Sequence, residues 1–87
     1  MELKVSAISK PASVAGAIAS QFNTGANSVD IQCIGAGSLN QAVKAIIIAR
    51  GYTAPSGISL TCVPSFCTLM VEGEEKTGIR ININRVY

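Results

Sequence analysis

The residues of this chain best suited to chemistry are a glycine-rich turn and a small set of cations. The chemistry they suit is holding phosphate. The turn is Gly35-Ala36-Gly37-Ser38, written IGAGSLNQAVK in context. It follows a strand-like stretch and opens a helix-like one. The first turn of a helix carries unpaired N–H groups and partial positive charge, so it attracts anions. Glycine lets the backbone approach a ligand closely. Asn40 and Lys44 stand four apart, on one face of that helix. The same residues also read as a tight β–α turn with a good cap and an exposed polar stripe. The G-x-G-x-x-G dinucleotide pattern is incomplete, because Asn40 takes the place of the third glycine. No acidic residue stands about 20 positions on, and the segment is not a P-loop.

The cations are Lys10, Lys44, Arg50, Lys76, Arg80 and Arg85, with Lys4 in the first strand. Net charge is +2, but its distribution is uneven. Glu72-Gly73-Glu74-Glu75 carries −3; the rest of the chain sets seven Lys and Arg against Glu2 and Asp30 and is +5. Lys10 and the Gly35–Ser38 turn follow neighbouring parallel strands, so they are expected at the same edge of the sheet. Ligands of such sheets gather there. Lysines and arginines on phosphates give affinity without sequence reading; the plain alternative is solubility.

Other chemistries are poorly supplied. There is no histidine, which removes the commonest base near neutral pH. Three of the five carboxylates sit in one cluster, and no nucleophile has an evident base partner. No catalytic residue is assigned, and no cofactor is implied. Cys33, Cys62 and Cys67 form no Cys-x-x-Cys pair, so no metal site is expected. Their odd number does not suit a disulfide framework; they read as small packing residues.

The elements that must position these residues come from periodicity. Glu2–Ile8 alternates, with Leu3, Val5 and Ala7 on one side, as a half-buried strand does. Ser9-Lys10-Pro11 breaks it, and proline suits a first helical turn. Val14, Ile18 and Phe22 then recur at helical spacing. Ser28–Ile34 alternates again. Ser38 with Gln41 makes a capping-box pattern, and the second helix is expected to run to about Arg50, with Gly51 as its stop. Ile58–Val63 is a third strand, interrupted by Pro64. Leu69–Val71 and Lys76–Val86 flank Glu72–Glu75 as a hairpin. The order βαβαββ predicts an α/β two-layer sandwich. Its four-stranded mixed sheet carries two helices on one face and a wet, polar surface on the other. The polar face is a poor base-stacking platform, since Phe22, Tyr52, Phe66 and Tyr87 all fall outside its positions.

In the second helix Leu39, Ala42, Val43 and Ile46 are expected to face the sheet. Ile47 and Ile48 then point elsewhere and are still apolar. A helix apolar most of the way round is buried on both sides. Either a second copy covers it through a two-fold interface, or the loop Tyr52–Gly57 does. The 87 residues make one domain, 1–87, with 48% hydrophobic and 14% charged residues. A chain of this size buries roughly 60–65% of its unfolded surface and gains from oligomerising. No apolar run approaches the roughly 20 residues of a membrane span, and no signal-peptide core is present. A cytoplasmic protein with no membrane partner is expected.

The blocks VSAISKPASVAGAIA, GAGSLNQAVKAIIIARGYTAPSGISLTCVPSF and VEGEEKTGIRININ resemble the stage V sporulation protein S family over nearly the whole chain. The resemblance implies an Alba-like fold, dimers or larger assemblies, and a regulatory part in sporulation or a related developmental programme. Alba proteins are archaeal chromatin and RNA-binding proteins. Ser9-Lys10-Pro11 sits where Alba carries a lysine-proline turn, and Gly37-Ser38 through Lys44 resembles its glycine-led second helix. Carried over, Lys10, Gly35, Gly37, Ser38, Asn40 and Lys44 would contact nucleic-acid phosphates, with Arg80 and Arg85 extending the surface. Alba's terminal hairpin is basic near its arm; here the tip is acidic, which argues against hairpin insertion.

Overall fold

The computed structural model describes residues 1–86; the expectation for Tyr87 lies outside them. The elements are β1 (Glu2–Val5), α1 (Pro11–Asn23), β2 (Ser28–Cys33), α2 (Ala36–Thr53), a 3-10 turn (Ala54–Ser56), β3 (Leu60–Val71) and β4 (Glu74–Arg85). The sheet order is β1-β2-β4-β3. β1 pairs parallel with β2, and β4 runs antiparallel to both β2 and β3. This is the expected βαβαββ sandwich with a mixed sheet.

The core lies between the sheet and the helices. α1 buries Ala15, Ile18, Ala19 and Phe22. α2 buries Ser38, Ala42, Ala45, Ile46, Ala49 and Thr53. Both stripes are rich in alanine, which lets helices approach closely, and the two helices pack on each other. From the sheet come Val5, Val29, Ile31, Cys33, Ile81 and Ile83. Removing the Phe22 ring from water contributes roughly 1.5–3 kcal/mol. The opposite face is polar at its centre. Asn82 donates to Asp30 at 2.6 Å, Asn84 donates to Asn82 at 2.6 Å, and Arg80 reaches Glu2 at 3.4 Å.

Several local expectations are overturned. α2 starts at Ala36, with Gly35 as N-cap at φ +86°. A glycine in that region bends the strand into the helix early, so Ser38 falls inside the helix and caps nothing. Gly51 does not stop α2, which continues to Thr53; the chain reverses instead at Gly57, φ +75°. Pro64 does not interrupt β3, which runs unbroken through it. β3 is an edge strand, where a missing N–H costs no ladder bond. The hairpin turn is Glu72-Gly73 alone, both at positive φ, as a two-residue type I′ turn requires; Glu74 and Glu75 belong to β4.

The long hairpin outreaches its neighbours. β2 ends at Cys33, opposite Ile79, so the part of β3 and β4 beyond Gly78 projects as a free arm. Beyond Leu60, which is buried in the core, neither helix covers β3. Cys62, Pro64 and Phe66 share the helix side of the sheet with Ile83, Ile81 and Ile79, yet all three are exposed. Cys62 is therefore a surface residue, against the expectation that all three cysteines are core. Phe66 lies in β3 rather than off the strands. It faces the helix side, so the helix-free face carries no aromatic among the described residues.

Candidate functional site

The residues read as a phosphate site do not all meet. Lys10 is the N-cap residue of α1, exposed, with Pro11 opening the helix. Its turn is braced from within. The Ser6 N–H donates to Ser9 Oγ at 2.9 Å, and the Ser9 N–H donates to the Ser6 carbonyl at 3.1 Å. It is also tied to α2: Gln41 Nε2 donates to the Ser9 carbonyl at 2.9 Å. Gln41 thus joins two β–α turns instead of closing a capping box. Gly37 completes the junction. A Cβ there would lie 3.0 Å from Ala7 Cβ, so Gly37 is small to let α2 seat against the first turn.

Lys44 borders a shallow apolar depression with Pro11, Ala12, Ile47 and Ile48. It therefore projects beside the start of α1, next to Lys10's turn. Asn40 is exposed one turn earlier. The start of α2 has no side-chain cap. Lys10, Lys44, Asn40 and the open end of α2 thus gather at one end of the molecule. No cluster of three or more metal-ligating side chains exists among the described residues.

Ser38, Arg80 and Arg85 stand apart. Ser38 is only 2% exposed. Its hydroxyl donates to the carbonyls of Ile34 and Gly35, so it locks the turn and does not reach the surface. Arg80 lies on the helix-free face, paired with Glu2. Arg85 pairs opposite Leu60, at the far end of the sheet from Gly35.

The apolar surface of α2 also differs from expectation. Val43 does not face the sheet: it is 45% exposed, and Ile47 is 61% exposed. Ile48 is partly buried against the core. The core stripe is set by Ala42, Ala45, Ile46 and Ala49, which rotates Val43 and Ile47 outward together. Tyr52–Gly57 does not cover them; it extends α2 and forms the 3-10 turn. Leu39 and Ala36 border a depression of about 340 Å³ with Phe66 and Ile79. The exposure of Val43, Pro64 and Phe66 was not legible in the sequence. Val43 fits a core stripe equally well, and a strand sequence does not say whether a helix lies over it.

Comparison with known proteins agrees with this architecture. The structure is similar to that of Alba from Thermoplasma volcanium, with a TM-score of 0.65 at 22% sequence identity over 98% of each chain. That likeness establishes an Alba-like fold. The family model described as "Stage V sporulation protein S (SpoVS)" matches residues 1–86, and the chain belongs to the stage V sporulation protein S family.

Proposed function

We propose that the protein is a non-enzymatic regulator that binds nucleic acid through backbone phosphates, as a homodimer or larger assembly, in the cytoplasm. The observation that carries this reading is the junction of the two β–α turns. Gln41 and Gly37 hold them together, so Lys10, Asn40, Lys44 and the uncapped start of α2 present one cationic surface. Such contacts position a strand or duplex without reading bases, so binding should be salt-sensitive and sequence-tolerant. Arg80 and Arg85, on other parts of the surface, would engage only a ligand that wraps the molecule.

A second copy is the proposed cover for the bare apolar surface of α2 and β3. Phe66 is 83% exposed and adjoins Leu39 and Ile79. Ile47 belongs to the same unpartnered side of α2, with Ile48 at its margin. No described helix is long and apolar enough to cross a membrane, and none is invoked as a partner.

The test is fluorescence anisotropy with labelled duplex DNA and single-stranded RNA at about 50 and 200 mM salt. Binding should fall steeply with salt and vanish in Lys10→Glu/Lys44→Glu. Absence of binding above ~100 μM protein at low salt, the weak limit of non-specific complexes, would overturn the reading. The acidic tip at Glu72, Glu74 and Glu75 favours a second reading, a protein-interaction or assembly module whose contacts survive that charge reversal. A small phosphorylated ligand at the Gly35 turn would instead raise the melting temperature on its own.

A further inference from the structure

On the helix-free face, where the hairpin arm leaves the sheet, lies a groove of about 440 Å³. That volume falls within the roughly 300–1,000 Å³ of small-ligand sites. Lys4, Ser6 and Ala7 form one bank, and Leu69, Met70 and Val71 the other; Gln32 and Ile34 lie between. Gly78 makes the closure possible. A Cβ at Gly78 would fall 2.8 Å from the Cys33 carbonyl oxygen, 3.0 Å from Leu69 Cδ1 and 3.1 Å from Ile34 Cγ1. Without a side chain there, Leu69 packs down beside Ile34.

Gln32 is the unexplained residue. It is only 6% exposed, and its side-chain amide makes none of the side-chain hydrogen bonds found among the described residues. Its amide atoms are not among the buried polar atoms left without a partner, so the amide opens to solvent at the groove and is free to bond a ligand. It lies at the groove, between aliphatic walls, with the Lys4 ammonium at the rim and no carboxylate among the lining residues.

We propose that this groove takes an unpaired nucleobase, with Gln32 hydrogen-bonding the base edge and Lys4 meeting the adjoining phosphate. An amide both donates and accepts, which suits the mixed edge of a base. Ile34, Leu69 and Val71 offer the apolar contact that base faces need. Ser6 and Ala7 belong to the turn that carries Lys10, so the groove continues the cationic surface. The inference rests on the nucleic-acid reading and sharpens it: a base inside a duplex cannot enter, so the favoured ligand is single-stranded. The same chemistry fits a free nucleotide, and the test separates the two.

The ¹⁵N-labelled protein is titrated with a short single-stranded RNA, a duplex of equal length, and the four ribonucleoside monophosphates, following the Gln32 side-chain amide. The single strand should move that resonance, and the duplex should not. Gln32→Leu should weaken single-strand binding about three- to tenfold, the loss of one or two net hydrogen bonds, with duplex binding unchanged. The Gln32 amide makes no hydrogen bond within the fold, so Gln32→Leu leaves the fold intact. Val71→Glu, on the exposed bank, gives an independent block by placing a carboxylate across the groove. Lys4→Gln should lower the salt slope by about 0.7, one phosphate contact on a single strand; Gln32→Leu should leave it unchanged. A Gln32 resonance indifferent to every ligand, with wild-type affinity in Gln32→Leu, overturns the groove. If Lys10 and Lys44 still govern binding, the broader reading survives. Monophosphates that shift Gln32 while no oligonucleotide binds would uphold the groove and overturn the nucleic-acid reading.

Discussion

Two parts of one sheet face meet opposite fates. Ile31 on β2 and Ile83 on β4 are fully buried under α1 and α2. Phe66, on the same face of neighbouring β3, is exposed, together with Cys62 and Pro64. The strands alternate alike, and their side chains point the same way. The difference lies in what covers them. Two helices that pack on each other are too narrow for four strands; they cover the β1 edge at Val5, and the other edge strand, β3, is left bare beyond Leu60. An apolar edge strand invites a partner, and Pro64 limits how a further strand could add to it. The bare half thus favours face-on burial over ladder extension.

The covered half should show the largest response. Phe22→Ala removes a buried ring and should cost about 3–5 kcal/mol, read by chemical denaturation; a loss near zero would mean the core is not where it is described. Phe66→Asp tests the bare half. Sedimentation should shift from dimer or larger to monomer while circular dichroism stays unchanged. An unaltered assembly would show that this surface is not the contact.

Thiol labelling sharpens the contrast. Cys33 is buried, and burial pushes its thiol above the ordinary range. It should react only on unfolding. Cys62 is exposed and should label fast in monomeric Phe66→Asp, more slowly where a second copy shields it. Equal rates in both would argue against shielding.

At the turn between these halves, Gly35→Ala forces φ +86° on a residue with a Cβ. With ψ 162° this is an extended positive-φ conformation almost confined to glycine, and the change should cost about 1–3 kcal/mol, seen as a lower melting temperature. The smallest effect belongs to the polar face. Arg80→Gln breaks an ion pair whose partners are 40% and 49% exposed, and stability should change by about 1 kcal/mol or less.

Element order and the layered fold were legible because hydrophobic period is a local property. Alternation in SVDIQC and GIRININ, and four-residue spacing in VAGAIASQF, each name an element without reference to the rest of the chain. The Lys10 turn and the start of α2 were also legible as neighbours, since parallel strands joined by helices open at the same edge. The roles of individual residues were less so. Ser38 looks like a cap in sequence and is a buried brace in the structure, because Gly35 starts the helix early. Gln41 looks like its capping partner and instead bonds the Ser9 carbonyl. Gly37 reads as room for a ligand and is room for Ala7.

By itself the sequence determined the elements, their order, the two cationic turns and the acidic hairpin tip, all set by spacing within short windows. Tertiary structure decided which apolar residues are covered, which glycines serve packing, and that Gln32 lies in a groove with Leu69 and Val71. Those outcomes depend on how far two packed helices reach across a sheet and how closely the hairpin packs at Gly78. Both are distances between residues remote in the chain, and no local period encodes them.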